Sequence, residues 1–351
     1  MIKRRKSKII SVGKVKIGGN KPIVIQGMTK ISTEKIAAVV AQIKEMEKAG
    51  CELVRLAVKT EEQAKALSKI KKKVKIPLIA DIHFDYRLAL LSIKSGVDKI
   101  RINPGNITDK KAIDETVKAL KKAKLPLRLG FNSGSVPFKY NKSNLASKMA
   151  SYCLRYISEY EKRGFYDIII SLKTSDVLST IEVNELLAKK TKYPLHLGVT
   201  ATGLGVNSVV KSSVGIGSLL RKGIGDTIRV SLTDSAVSEI KTAKMILQSL
   251  ELRRFYPEVI SCPTCGRCQV NLIKIAGEVS EAVAKAAIKK PSIKDLTVAV
   301  MGCEVNGPGE ARHADVGIAC GKKYAAMFKK GKIIKRINVK EAKKELLKEI
   351  K

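Results

Sequence analysis

Four of the seven cysteines crowd into one stretch, and three of them follow the run Cys262-Pro263-Thr264-Cys265-Gly266-Arg267-Cys268. Two thiolates three residues apart at a Pro-marked turn can grip one metal or cluster. A third, Cys303, at the end of the separate strand-like run Thr297–Cys303, closes the cage. Cys268, Cys320 and Glu310 compete for the fourth position. Zinc sites with four cysteines usually use two Cys-x-x-Cys knuckles, and here the distal pair is missing. An iron–sulfur cluster accepts one Cys-x-x-Cys plus a distant cysteine more readily. Cys51, Cys153 and Cys320 otherwise read as small buried apolar residues.

A second set of reactive side chains lies on runs that are otherwise apolar. Arg55, Asp81, His83, Arg101, Asn103, Arg128, Asn132, Lys173, Arg229 and Ser231 fall on or just after short β-branched segments. Any one of these cations alone reads as a surface ion pair. Five of them on five strands, brought together, repel one another and lose hydration, so they require an anionic partner. A diphosphate-bearing small molecule meets that requirement, with arginine giving two-pronged contacts and lysine a point charge. His83, close to Asp81 in Asp-Ile-His-Phe-Asp, reads equally as a site residue or as a satisfied core histidine.

The elements that must position these residues alternate regularly. Apolar runs at 22–28, 53–58, 77–83, 99–105, 126–132, 166–173, 194–200 and 227–232 are separated by stretches with helical spacing such as 33–50 and 61–74. Eight strands each followed by a helix predict an α/β fold, a (β/α)8 TIM barrel whose catalytic mouth lies at the C-terminal strand ends. A doubly wound sheet is the competitor, but no early strand leads into Gly-x-Gly-x-x-Gly. After Leu250 the rhythm breaks. A helical stretch to Lys289, strands over 297–303 and 314–321, a hairpin around 329–332 and a basic helix over 339–350 predict a small α+β unit. The expected division is therefore a barrel over 1–252 that binds substrate and a cysteine-bearing domain over 253–351.

Composition limits the alternatives. The 351 residues carry 68 Lys+Arg against 32 Asp+Glu, a net charge of +36, yet aromatic residues are only 4% of the chain. The cations are spread along the whole length, so they read as a solvated surface and not as a nucleic-acid face with stacking platforms. No long uncharged apolar run suits a membrane span, and the N-terminal thirteen residues hold no signal-type apolar core. The expected location is the cytoplasm, where thiols stay reduced and a cysteine cluster reads as a metal site.

Several segments together carry a resemblance. RRKS near the N-terminus, PLIADIHFDYR (77–87), RINPGNI (101–107), SLKTSD (171–176), KSSVGIGSLL (211–220), GIGDTIRVSLTD (223–234), CPTCGR (262–267) and MGCEVNGPGEA (301–311) match in order along nearly the whole chain. The chain resembles the 4-hydroxy-3-methylbut-2-enyl diphosphate synthases of the bacterial two-domain type. The resemblance implies a TIM barrel followed by a domain holding one 4Fe-4S cluster per chain, with Cys262, Cys265, Cys303 and Glu310 as ligands. It implies reductive ring opening and dehydroxylation of 2-C-methyl-D-erythritol 2,4-cyclodiphosphate, with flavodoxin or ferredoxin as electron donor. It further implies a homodimer in which the cluster domain of one subunit caps the partner's barrel. By residue-for-residue carry-over, Arg55, Arg101, Arg128, Lys173, Arg229 and Ser231 hold the diphosphate. His83 and Asn132 complete the pocket, and Asp81 orients His83.

Two positions depart from that pattern. Where the family reads Glu-Ala-Gly after PLHLGVT, this chain reads Ala201-Thr202-Gly203. An alanine can neither donate a proton nor bind a hydroxyl, which predicts slower turnover with binding kept, or a weakened relative acting on a related diphosphate. Cys268 extends the motif to Cys-x-x-Cys-x-x-Cys and is expected not to bind the cluster in the resting enzyme. From another class, a zinc-bound nucleic-acid binder needs a concentrated basic face that the sequence lacks.

Overall fold

The computed structural model describes residues 2–350 except 106, 108, 304–308 and 310. The chain divides into two compact units, Met1–Arg253 and Arg254–Lys351.

In the first unit the apolar runs form eight parallel strands: β3 (Val24–Met28), β4 (Leu53–Val58), β5 (Leu78–Ile82), β6 (Lys99–Ile102), β7 (Leu127–Asn132), β8 (Ile168–Lys173), β9 (His196–Leu197) and β10 (Thr227–Ile228). They pair in chain order, β10 returns to pair with β3, and one bridge between Ile170 and Leu195 joins β8 to β9. The ring is that of a TIM barrel. The last two strands are much shorter than the runs at 194–200 and 227–232. The ladder stops at Gly198, where an added Cβ would stand 2.6 Å from both the Arg229 carbonyl oxygen and Lys173 Nζ. The crossing helices start where side-chain oxygens accept orphan N–H groups: Thr60 from Gln63, Asp109 from Ala112, Asp176 from Ser179 and Ser235 from Ser238.

A short antiparallel hairpin, β1 (Ile10–Val12) and β2 (Val15–Ile17), precedes the barrel and is not signalled by any long apolar run. Its turn uses Gly13 at a φ of 53°. Ile10, Val12 and Ile17 pack on Val24, Leu53, Ile79 and Ile169, residues at the N-terminal ends of barrel strands. The hairpin is thus an apolar floor, and the polar mouth lies at the other end.

The second unit is a five-stranded sheet in the order β11 (Glu258–Ser261), β12 (Thr297–Met301), β13 (Val316–Cys320), β14 (Tyr324–Lys329), β15 (Lys332–Asn338). The first three strands run parallel and the last three antiparallel. Period-two alternation sorts its side chains: Val298, Val300, Val316 and Ile318 pack with Leu272, Val279, Val283, Leu346 and Ile350 of helices α9 (Leu272–Lys289) and α10 (Ala342–Ile350). Ala299, Met301, Ala319 and Phe328 pack on the other face. No helix among the described residues is long and apolar enough to cross a membrane.

Candidate active site

Side chains alternate along a strand, so residues two positions beyond the apolar floor also point into the barrel. Gln26 follows Val24, Arg55 follows Leu53, Asp81 follows Ile79 and Ser171 follows Ile169. Lys99 stands in register with Ile79 and Arg128 with Ile169, so both rise from the floor's own level. TIM-barrel interiors are usually layered with Val, Ile and Leu. This one is filled with charge.

Asp81, 2% exposed, is the first hub. Arg101 Nη1 donates to its Oδ1 at 2.7 Å, Arg55 Nη1 lies 3.5 Å from Oδ2, and His83 Nε2 lies 3.5 Å from Oδ1. Burial alone pushes this carboxyl up, but Arg55 and Arg101 together outweigh it and hold Asp81 well below the usual carboxylate range. Arg101 Nη1 is also 2.8 Å from His83 Nε2. A guanidinium only donates, so in this contact Nε2 is the acceptor. Arg101 Nη2 donates to the Gly130 carbonyl at 3.1 Å, and any Cβ at Gly130 would come within 2.6 Å of Arg101 Nε.

Glu239, also 2% exposed, is the second hub. It reaches inward from α8 (Ala236–Ser249), on the helix face that buries Ala236, Ile240 and Ala243. Arg229 Nη2 donates to both its oxygens at 3.1 Å, Lys30 Nζ lies 3.1 Å from Oε1, and the Leu232 N–H donates to Oε1 at 2.9 Å. Arg229 Nη1 donates in addition to Ser231 Oγ.

Among the described residues the remaining cations have no carboxylate partner. Lys99 Nζ, Arg128 Nε and Nη1, Ser171 Oγ, His196 Nε2 and both polar side-chain atoms of Gln26 are buried without a hydrogen-bond partner among the described residues. Burial, then Arg128 and Arg55, push Lys99 and Lys173 well below the ordinary lysine value. Burial also lowers Arg55 to about 10 against the pull of Asp81. Arg55, Lys99, Arg101, Arg128, Lys173 and Arg229 thus face two carboxylates. The interior is complementary to an anion carrying several charges.

In the second unit the cysteines differ in exposure: Cys265 is exposed, Cys262 and Cys268 are half-buried and Cys303 is buried. Two segments are stitched together around them. The Gly302 N–H donates to Cys262 Sγ at 3.3 Å, and the Gln269 N–H donates to the Gly302 carbonyl at 3.2 Å. Cys268 Sγ donates to the Val270 carbonyl at 3.3 Å and presses on Gly302, where a Cβ would stand 2.5 Å away. Among the described residues no three His, Cys, Asp or Glu side chains meet closely enough to hold a metal ion. The donor set, two thiols on one turn and a third on the segment bonded to it, suits a metal centre that draws its ligands together on binding. Glu310 lies outside the described residues. Burial pushes the Cys51 thiol up to about 12 and Cys153 well above its usual value. Burial, then Cys268 and Cys262, push Cys320 to about 11. Burial thus favours the protonated thiol at all three.

Residues 7–244 match the GcpE TIM-barrel domain and residues 258–351 match the GcpE protein C-terminal domain. The chain belongs to the GcpE family. Among its curated relatives are the 4-hydroxy-3-methylbut-2-en-1-yl diphosphate synthases (flavodoxin) of Caldanaerobacter subterraneus subsp. tengcongensis, 50% identical over 100% of this chain and 98% of that one, and of Thermodesulfovibrio yellowstonii, 50% identical over 100% and 99%. That of Aquifex aeolicus is 48% identical over 100% of this chain and 97% of its own. A solved structure of dihydropteroate synthase from Stenotrophomonas maltophilia aligns with a TM-score of 0.53 at 14% identity, over 70% of this chain and 98% of that one. At that identity the likeness shows only the barrel fold.

Within this GcpE barrel the expected site residues do not all behave alike. Arg55, Asp81, His83 and Arg101 form one bonded network, and Arg229 and Ser231 another. Arg128 and Lys173 are buried beside them, coupled to both networks through charge. Asn132 stands half-buried at the end of β7, where its carbonyl accepts from Ser135 Oγ at 3.1 Å. Asn103 faces the loops instead: its amide donates to Ser135 Oγ at 3.1 Å and its oxygen accepts the Gly105 N–H at 3.3 Å. Lys99, His196, Lys30 and Glu239 were not singled out by type and spacing. The signal for Lys99 is its place two residues before Arg101 on one strand, and for Glu239 a carboxylate on the apolar face of a helix.

Proposed function

We propose that this GcpE protein catalyses the reductive ring opening and dehydroxylation of 2-C-methyl-D-erythritol 2,4-cyclodiphosphate to (E)-4-hydroxy-3-methylbut-2-enyl diphosphate. Two electrons and two protons convert the cyclic diphosphate into the linear allylic diphosphate and water. The observation that carries this reading is the excess of buried cations over carboxylates in the barrel, supported by relatives whose names state this product and flavodoxin. The barrel, 1–252, serves as the substrate domain and 253–351 as the cluster domain. Cys262, Cys265, Cys303 and Glu310 hold one 4Fe-4S cluster per chain, flavodoxin donates the electrons, and the enzyme works in the cytoplasm as a homodimer. When bound, such a cluster passes electrons singly and offers an iron as Lewis acid.

The chain's own residues bind and orient. Arg55 and Arg101, fixed on Asp81, and Arg229 with Ser231, fixed on Glu239, grip phosphoryl oxygens without reorganising on arrival. Arg128 and Lys173 supply the charge that no carboxylate among the described residues pairs. His83, half open to the mouth with its Nε2 lone pair on Arg101, is placed to exchange a proton through Nδ1. Asn132 completes the pocket. Cationic Arg267, Lys322 and Lys323 line a cavity of about 440 Å³ beside Cys303, which suits an acidic electron donor.

The test is iron and acid-labile sulfide per chain on anaerobically purified protein, followed by turnover of the cyclodiphosphate with reduced flavodoxin. About four of each, with product formed, supports the reading. Tight zinc without sulfide after cluster reconstitution sinks it. Ala201→Glu is expected to raise turnover while substrate affinity stays the same; an unchanged rate shows that Ala201 costs the enzyme nothing.

A further inference from the structure

Every barrel cation described above as paired is paired through Asp81 or Glu239. Asp81 belongs to a strand, whereas Glu239 reaches the interior from a helix outside the wall. A nearly fully buried helix glutamate is stable only when its lost hydration is replaced, and here two cations and one N–H replace it. We propose that Glu239 is a positioning residue that joins Arg229 and Lys30 into one seat for a phosphoryl group, and that Lys30 is itself a substrate-binding residue. This rests on the diphosphate reading of the barrel.

Glu239 Oε1 accepts from Lys30, Arg229 and the Leu232 N–H at once, so it has no capacity left for a ligand. Its cations do. Lys30 has three donors and spends two, on Glu239 and, at 2.8 Å, on the Leu232 carbonyl. Arg229 spends Nη1 on Ser231 and Nη2 on Glu239, while its Nε has no partner among the described residues. Lys30 follows the C-terminal end of β3, on the mouth side, and its side chain is 32% exposed. The trio carries one net positive charge with both cations held in place. It attracts a phosphoryl group without the self-repulsion of two bare cations, and the carboxylate is shielded from the arriving anion.

The test titrates inorganic diphosphate calorimetrically into anaerobically purified full-length protein. Lys30→Met is expected to weaken diphosphate about tenfold, the worth of one charge-assisted contact, and to flatten the salt dependence of binding. Glu239→Gln is expected to weaken it at least as much, and Glu239→Asp to recover part of the loss. Adding Lys30→Met to Glu239→Gln should cost no more than about a further twofold, because the two residues act as a unit. A Lys30→Met protein that binds within about twofold of wild type overturns the seat, as do Lys30 and Glu239 effects that simply add. Lys30 is partly exposed, so its variant keeps the test open even if Glu239→Gln fails to fold. Wild-type protein that binds no diphosphate overturns the diphosphate reading itself, a result distinct from normal wild-type binding with an indifferent Lys30.

Discussion

The barrel interior and the cysteine-bearing unit represent two ways of building a reactive site. In the barrel the groups are already assembled: Asp81 and Glu239 fix four cations within bonding distance, and strand register fixes the rest. In the second unit the cysteines share two hydrogen-bonded segments but range from exposed to buried. The difference follows from the energies. Strand pairing and apolar packing are strong enough to hold like charges together before any anion comes. Thiols have no comparable force between them and are gathered by the metal they bind. The barrel therefore keeps its geometry independently of the second unit's chemistry.

Removing one thiol should break the comparison most visibly. Cys303→Ser is expected to abolish turnover and cut bound iron severely, while inorganic diphosphate binds within about twofold of wild type. Iron analysis, the visible spectrum and calorimetry check this together; lost diphosphate binding would show that the two sites are not independent. Next in size is Asp81→Asn, which leaves Arg55 and Arg101 buried beside a neutral amide. A loss of about 3–5 kcal/mol is expected from urea unfolding, as for other broken buried ion pairs. Asp81 is held below its ordinary value of 3.8, so its stabilisation is complete above that value and is lost as pH falls through the depressed one. The difference between wild type and variant should therefore shrink in strong acid.

The sequence made much of this legible because the barrel repeats one local rule. Alternating strands and helices with caps and Gly breaks are short-range signals, and the five cations spaced along separate strands were visible as such. Asp81 and Arg101 were readable as neighbours in function, but their 2.7 Å contact depends on pairing between strands twenty residues apart. The floor hairpin escaped notice because two three-residue strands carry too little periodicity. Glu239 escaped because a glutamate early in a helix ordinarily caps or solvates it, and only tertiary packing turns that face inward. The cysteine motif showed ligand types at once, yet nothing in its spacing indicates that Gly302 is needed where Cys268 presses on the backbone.

Lys99 sharpens the barrel side of the comparison. It is fully buried, without a partner among the described residues and pushed well below the ordinary value of 10.5, so it opposes folding without any bound anion. Lys99→Met, similar in length and apolar, should stabilise the protein by about 1–4 kcal/mol, the range seen when buried charges give way to packing. The sign with pH follows from linkage. At neutral pH the unfolded chain holds this proton more tightly than the folded one, so wild-type stability recovers as pH rises toward 10.5. The advantage of Lys99→Met should thus decline with rising pH and vanish above 10.5, which thermal unfolding across that range can follow. An advantage that does not change with pH would mean that Lys99 holds its proton equally well in the folded and unfolded states.

The smallest effect concerns a loop at the mouth. Ala201 is exposed and holds a φ of 53°, a left-handed conformation that glycine adopts freely and a Cβ opposes. Gly203 at 91° and Gly205 at 55° also hold positive φ, alternating with an extended Leu204 at −109°. Ala201→Gly relieves the left-handed strain, about 1–2 kcal/mol, and loosening of the unfolded chain offsets only part of it, about 0.4–1 kcal/mol. A net gain of about 0.5–1 kcal/mol is expected where relief of the left-handed strain dominates. Diphosphate affinity should not change, because the barrel's cations are fixed by Asp81 and Glu239 and not by this loop. If Ala201→Gly instead alters diphosphate affinity several-fold, the loop takes part in the preassembled site, and the boundary between fixed barrel and adjustable periphery moves inward to include it.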